Sequence, residues 1–330
     1  MSYLICHRIF DKANWHELIF SLLLVPHLTT MSKPTVFVLG CSGSIGSATV
    51  RALSTKYSGN LNILAGTRNV ASEKVASLRS LPGVTILHAD MNNKEALRDL
   101  LTGVTSLFIV TPSNGSRLAI GAAEVAKASH VKHILTVSGL TVELPNTMYG
   151  KLFGEFESSI KLPQIPYTLI RLPSFVYNYW AYKHPIQQNS SFSTPADPTK
   201  PLAAVVVEDA GKAAAAIMVE PEKHYGKTYR LISNRHTLNE LAVAFSQALG
   251  KDVRHERISY ETFRCQLVDV AGFSEENADA VLETYRLIDE ESPVVNQPEY
   301  TPESSHFAQI TGEKPTSLQE WVNQVAPSFK

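Results

Sequence analysis

The stretch Thr35-Val-Phe-Val-Leu-Gly40-Cys-Ser-Gly43-Ser-Ile-Gly46-Ser-Ala-Thr-Val50-Arg-Ala-Leu53 decides the fold. Thr35–Leu39 is a short apolar run with β-branched residues, which reads as a strand. Ile45, Ala48, Thr49, Ala52 and Leu53 then fall at helical spacing. Between them lies G-x-x-G-x-x-G, placed after a strand and opening a helix, as a dinucleotide-binding turn must be. Gly40 permits the tight turn, Gly43 lets the backbone approach a pyrophosphate, and Gly46 lets helix and strand pack closely. The helix N-terminus offers free N–H groups and a positive dipole to that anion. The candidate cofactor-binding residues here are Gly40, Ser42, Gly43, Ser44, Ile45 and Gly46. The plain alternative is a strand–turn–helix whose glycines are only structural.

Outward from this turn the pattern repeats. Strand-like runs occur at Leu61–Ala65, Val84–Leu87, Leu107–Val110, His133–Val137 and Tyr167–Arg171. Helix-like stretches lie near 71–79, 93–101 and 116–129. Such alternation, with mostly apolar strands, predicts an α/β fold: a doubly wound parallel sheet covered by helices on both faces. The second half reads differently. Pro173, Pro185, Pro195, Pro198 and Pro201 make irregular connections. Strands are expected at Ala203–Val207 and Thr228–Ile232, around an Ala-rich helix near 209–219. Thr237 and Glu240 form a capping-box signature before an apolar helical face that Gly250 stops. Ser274 is the expected N-cap of a further helix. The division is therefore 31–175 for the nucleotide-binding domain and 176–330 for a smaller, mainly helical domain, with 203–232 partly returning to the sheet.

Residues 1–30 stand apart. Leu18–Val25 is an apolar stretch ended by Pro26, and Met31 comes four residues before the first strand. An extension outside the fold fits best; a targeting peptide and a packed extra helix are the alternatives.

Composition narrows the function classes. The 330 residues carry 30 Lys+Arg against 31 Asp+Glu, a net charge of −1, which argues against direct nucleic-acid binding. No apolar run reaches membrane-spanning length. The three cysteines, Cys6, Cys41 and Cys265, lie far apart without zinc-type spacing, so a reducing, cytoplasmic setting is expected. The histidines show no metal-ligand spacing, and no metal is expected.

The end of the second strand bears on the cofactor. A carboxylate there would hold the ribose 2′-OH of NAD. Instead Gly66-Thr-Arg68-Asn follows, with Arg68 22 residues past Gly46. A guanidinium suits a 2′-phosphate, so NADP(H) is preferred over NAD(H). The plain alternative is a solvated arginine. Asp90 and Met91, after the third strand, are expected to flank the adenine. Thr111 and Pro112, after the fourth, are expected under the nicotinamide half.

In combination these residues resemble the NmrA-like family of atypical short-chain dehydrogenase/reductase proteins, over about residues 35–325. The anchors are the glycine turn, Gly66-Thr-Arg68-Asn, His88-Ala-Asp90, Ser138-Gly, and Gly150-Lys-Leu-Phe-Gly-Glu-Phe-Glu157. Ile165-Pro-Tyr-Thr-Leu-Ile-Arg171-Leu-Pro-Ser-Phe175-Val-Tyr-Asn178, Val206-Val-Glu-Asp209 and Gly226-Lys-Thr-Tyr229 complete them. The resemblance implies a Rossmann domain binding NAD(P), with a C-terminal domain forming the substrate cleft. It further implies an NADPH-dependent oxidoreductase passing hydride to a small conjugated acceptor: a quinone, an azo dye or an imine. The alternative within the same family is a non-catalytic redox sensor that acts through a protein partner.

Hydride transfer to a carbonyl or imine needs a proton donor near the acceptor. Ordinary short-chain reductases use Tyr-x-x-x-Lys on the helix after the fifth strand. Here that helix carries Tyr149 and Lys151, two apart, which point to nearly opposite sides. Tyr179…Lys183 has the spacing but runs into Pro185, the wrong context. Ser138, Tyr149 and Lys151 remain the candidate catalytic groups, with Lys151 also a candidate cofactor-ribose contact. Phe175, Tyr177, Asn178 and Trp180 are the candidate substrate residues, an aromatic wall for a flat ligand. Packing between lobes is the alternative reading of these aromatics.

Overall fold

Alternation along β1 (Thr35–Leu39) explains a sheet covered on both faces. Val36 and Val38 enter one core, Phe37 and Leu39 another. The computed structural model describes residues 33–110, 116–161, 163–290 and 300–330. The expected extension at residues 1–30 lies outside the described residues, as do Thr111 and Pro112.

The first core lies under α1 (Ser44–Tyr57), α2 (Glu73–Arg79) and, later in the chain, α7 (Val207–Val219). The second lies under α3 (Lys94–Leu100), α4 (Ser116–Ala128) and α5 (Met148–Lys161). At seven residues each, α2 and α3 are too short to persist alone, so burial of Val75, Leu78 and Leu97 holds them. The strands between are β2 (Asn62–Thr67), β3 (Val84–His88), β4 (Val104–Ile109), β5 (His133–Gly139) and β6 (Tyr167–Leu172).

With β10 (Thr228–Arg230) they make one seven-stranded sheet, in the order β3-β2-β1-β4-β5-β6-β10. Every pairing in it is parallel. The order reverses between β1 and β4, the switch point beyond whose carboxyl ends ligands bind in such sheets.

The C-terminal part differs from expectation in one element. The strand expected at Ala203–Val207 is β9 (Leu202–Val205), and Val207 already belongs to α7. It joins not the main sheet but a three-stranded one with β7 (Ser174–Phe175) and β11 (Asn234–His236). Only α7 and β10 return to the main sheet. There Gly211 of α7 lies so near α1 that a Cβ would stand 2.6 Å from the Ala48 carbonyl carbon.

The remaining elements are α6 (Lys183–Asn189), β8 (Ser191–Thr194), α8 (Leu238–Leu249), β12 (Arg254–Arg257), α9 (Tyr260–Cys265), α10 (Glu275–Asp289), α11 (Phe307–Thr311) and α12 (Leu318–Val325). The capping box at Thr237, the left-handed Gly250 and the Ser274 N-cap all form as the sequence predicts. A third core gathers Tyr179, Phe192, Leu241, Phe245, Trp321 and Phe329.

Candidate functional site

The glycine turn closes on its own backbone. Gly40 sits at φ +97°, the left-handed region that favours glycine, and its N–H and that of Cys41 both donate to the Gly66 carbonyl at 3.0 Å. The Gly43 N–H donates to the Gly40 carbonyl at 3.1 Å. Gly43 is the N-cap of α1 and brings no side chain to cap it, so the first-turn N–H groups face outward. A Cβ on Gly43 would meet nothing nearer than the Gly40 oxygen at 3.4 Å, which is ordinary contact. A Cβ on Gly46 would stand 2.3 Å from that oxygen. Gly46 therefore serves the fold, whereas Gly43 keeps open the space above a bare helix N-terminus. That cradle fits a pyrophosphate. Cys41 is buried, and burial pushes its thiol up to about 11, so it is a packed residue and not a reactive one.

At the end of β2, Arg68 is exposed and makes no hydrogen bond or ion pair with the described residues. Asp90 is half-buried, and its Oδ1 accepts from the Asn92 N–H at 3.0 Å and the Asn92 amide at 2.9 Å. Those bonds, then the fields of Arg68 and His88, hold its carboxyl below the usual range. One Asp90 oxygen is thus committed to its own turn, while the Arg68 guanidinium stays available. Met91 packs against the second core.

On the other side of the switch point, Ser138 is buried near the end of β5, and Tyr149 is half-buried in the first turn of α5. Tyr149 stacks on Phe153, with centroids 6.3 Å apart, and burial raises its phenol above the ordinary value. Lys151 is exposed on another side of α5, in a shallow groove with Val142, Pro145 and Glu155. Tyr149 and Lys151 do not meet.

Ser138 instead adjoins an ionic cluster that no local sequence signal marks. Arg171 grips the buried Glu157 carboxylate with Nε and Nη2, both at 2.8 Å, and reaches Glu143 at 3.3 Å. Burial pushes the Glu157 carboxyl up, but the Arg171 bonds outweigh it and keep the group ionised. Arg230 also donates to Glu143, at 2.9 Å, and the Tyr300 hydroxyl donates to the other Glu143 oxygen. The start of α5 is capped from two directions. Thr147 accepts from the Gly150 N–H at 3.0 Å, and Glu283 of α10 accepts from the Met148 N–H at 2.8 Å.

The aromatic turn after β6 divides. Phe175 packs against the first core. Tyr179 is buried with its hydroxyl 2.8 Å from His236 Nε2, which removes Tyr179…Lys183 from any catalytic reading. Trp180 is drawn into the third core against Phe329, with centroids 5.2 Å apart. Asn178 is exposed, and its amide donates to Ser174 Oγ at 3.3 Å. Tyr177 stays exposed and lines a cavity of about 800 Å³ with Ser42, Gly43 and Ser44. Among the described residues no His/Cys/Asp/Glu group could hold a metal, and no helix is long and apolar enough to cross a membrane.

Seven parallel strands with a glycine turn at the switch point define a Rossmann-like α/β protein. The chain belongs to the NmrA-like family, whose shared sequence pattern it matches over residues 32–322. It is 27% identical over 256 residues to an NAD(P)H azoreductase of Xenophilus azovorans, covering 76% of this chain and 86% of that one. A triphenylmethane reductase of Citrobacter sp., solved with NADP(H), superposes with a TM-score of 0.69 at 26% identity, over 88% of this chain and 99% of that one. An NADPH-dependent quinone oxidoreductase of Escherichia coli gives 0.71 at 25% identity, over 88% and 99%.

Proposed function

We propose that this protein is an NADPH-dependent reductase that passes hydride to a small conjugated acceptor such as a quinone, an azo dye or an imine. The observation that carries the reading is the pairing, at one switch point, of a bare α1 N-terminus with an uncommitted Arg68. The names of the azoreductase, the triphenylmethane reductase and the quinone oxidoreductase support the acceptor class.

Ser42, Ser44, Ile45 and Gly46 bind the pyrophosphate through backbone N–H groups, with Gly43 leaving room for its approach, and Arg68 takes the 2′-phosphate, which gives NADPH its advantage over NADH. Asp90 and Met91 flank the adenine. The bound nicotinamide supplies the hydride. Tyr149 stays protonated at neutral pH and borders the acceptor. Without a lysine beside it that phenol is a weak acid, so solvent delivers the proton that completes quinone reduction. Residues 31–175 hold the nucleotide, and 176–330 supply most of the acceptor surface. The protein acts in the cytoplasm on small molecules.

The test is a titration of the purified chain with NADPH and NADH, followed by nicotinamide fluorescence, with menadione, a dye and an imine then added. Tight NADPH binding with oxidation on adding an acceptor is expected. A second reading rests on the separation of Tyr149 from Lys151: a dinucleotide sensor working through a protein partner. Tight binding with no turnover of any acceptor would select it.

A further inference from the structure

The cavity beside the glycine turn has a wall whose purpose the preceding reading leaves open. Ser42, Gly43 and Ser44 line it together with Tyr177 and with Val207 at the start of α7. Tyr177 is 53% exposed, and its hydroxyl has no hydrogen-bond partner among the described residues.

Exposure does not make this ring loose. Val176 and Tyr179, on either side of it in the turn, are buried. Its ring lies 6.4 Å from Trp180, Trp180 lies 5.2 Å from Phe329, and Phe329 lies 4.9 Å from Phe245. The Asn178–Ser174 bond at 3.3 Å closes the turn from the polar side. A ladder of three rings, two of them fully buried, thus backs one exposed aromatic on a cavity that the start of α1 also lines. A group held this way gives up little freedom on binding. Its phenol carries a hydrogen-bond donor, and on the same cavity Arg51, Lys56, Lys74 and Lys212 outnumber Glu208 and Glu313.

We propose that Tyr177 is a cofactor residue and not an acceptor residue. Its ring closes over the dinucleotide pyrophosphate lying on Gly43–Ile45, and its hydroxyl donates to a phosphate oxygen. This rests on the dinucleotide-binding reading of the glycine turn. Because NADPH and NADH share the pyrophosphate, Tyr177 contributes equally to both, whereas Arg68 discriminates between them.

The experiment measures dissociation constants and dissociation rates for NADPH and NADH on the full chain and on Tyr177→Phe and Tyr177→Ala. Losing a hydrogen bond to a charged group is expected to weaken both dinucleotides by roughly tenfold in Tyr177→Phe. Tyr177→Ala is expected to weaken both further, mostly through faster release. The acceptor KM measured at saturating NADPH stays unchanged. Unaltered dinucleotide affinity with a raised acceptor KM overturns the proposal and returns Tyr177 to the acceptor wall. A loss for NADPH alone overturns it also, since that places the ring at the 2′-phosphate. If the unmodified chain binds neither dinucleotide, the functional reading itself fails, an outcome separate from these.

Discussion

Gly43 and Gly46 differ by three positions and by what a methyl group would cost. Gly46→Ala must displace the Gly40 carbonyl that its Cβ would approach to 2.3 Å, so it overpacks the turn and costs about 1–3 kcal/mol. Gly43→Ala meets only ordinary contact, at 3.4 Å, and loses no more than about 1 kcal/mol as a poorer N-cap. Thermal unfolding of the two variants should show the larger loss for Gly46→Ala. NADPH titration should show that Gly43→Ala, though nearly as stable as the unmodified chain, binds much more weakly. Equal melting temperatures for the two would refute the division of roles. Arg68 poses a different question, because it makes no hydrogen bond or ion pair with the described residues. Arg68→Ala is expected to leave stability unchanged and to weaken NADPH by roughly 10- to 100-fold, the worth of a hydrogen bond between charged groups. NADH should lose almost nothing, and Arg68→Asp should reverse the preference. Equal loss for both dinucleotides would sink the assignment. These residues were legible because their chemistry is local: three glycines within seven positions and one side chain at a strand end. Asp209 was legible only as part of a motif. Its reason is a buried knot with Ser233 at 2.7 Å and Thr316 at 2.8 Å, and those partners lie 24 and 107 residues away.

Among the elements, β6 and α5 are locked by one ion pair. Arg171 and Glu157 make two parallel bonds at 2.8 Å, with Glu157 almost fully buried. Removing one partner strands the other in a site of low polarity. Arg171→Leu is therefore expected to cost about 3–5 kcal/mol, while Arg171→Leu with Glu157→Leu recovers most of that. Urea denaturation of the two single variants and the double would measure the coupling. An additive double variant would show that the pair does not hold β6 to α5. The boundary of β4 shows where periodicity failed. The apolar run at Leu107–Val110 omits Val104–Ser106, because Thr105 and Ser106 break it. Ser106 nevertheless lies fully buried, bonded to His133 Nδ1 at 2.9 Å. The run Ala203–Val207 failed in the opposite sense. It is apolar throughout and reads as one strand, yet β9 stops at Val205 and α7 begins at Val207. A short apolar run does not distinguish a strand from the first turn of a buried helix.

Over the whole molecule, the last thirty-one residues bind the two halves in a way no sequence window contains. Tyr300 reaches Glu143, the Arg230 N–H donates to His306 Nδ1 at 3.1 Å, Glu313 pairs with Lys56 and Lys212, and Trp321 and Phe329 close the third core. The same long-range packing buries His133 and His236, half-buries His255, and keeps all three neutral. Thr168 donates its hydroxyl proton to the His224 carbonyl at 2.7 Å, so it must accept from His133 Nε2, leaving Nδ1 to accept from Ser106. Burial pushes His133 down to about 3, and His236 and His255 down to about 4, from the ordinary 6.5. Between those values the unfolded chain binds protons that the folded chain refuses, so stability rises with pH across this window. It is fully present above about pH 7 and falls as pH drops below 6.5, by roughly 1 kcal/mol per pH unit for each of His133 and His236, the two fully buried rings. Urea unfolding at pH 7 and pH 5 should show a large loss, before the carboxylates that are held low begin to protonate. His236→Asn keeps a polar group for Tyr179 but cannot titrate, so it should be less stable at pH 7 and lose less between the two pH values. A stability profile flat from pH 7 to pH 5 would mean that these rings admit a proton in the folded protein, and that its interior is more open than their burial implies.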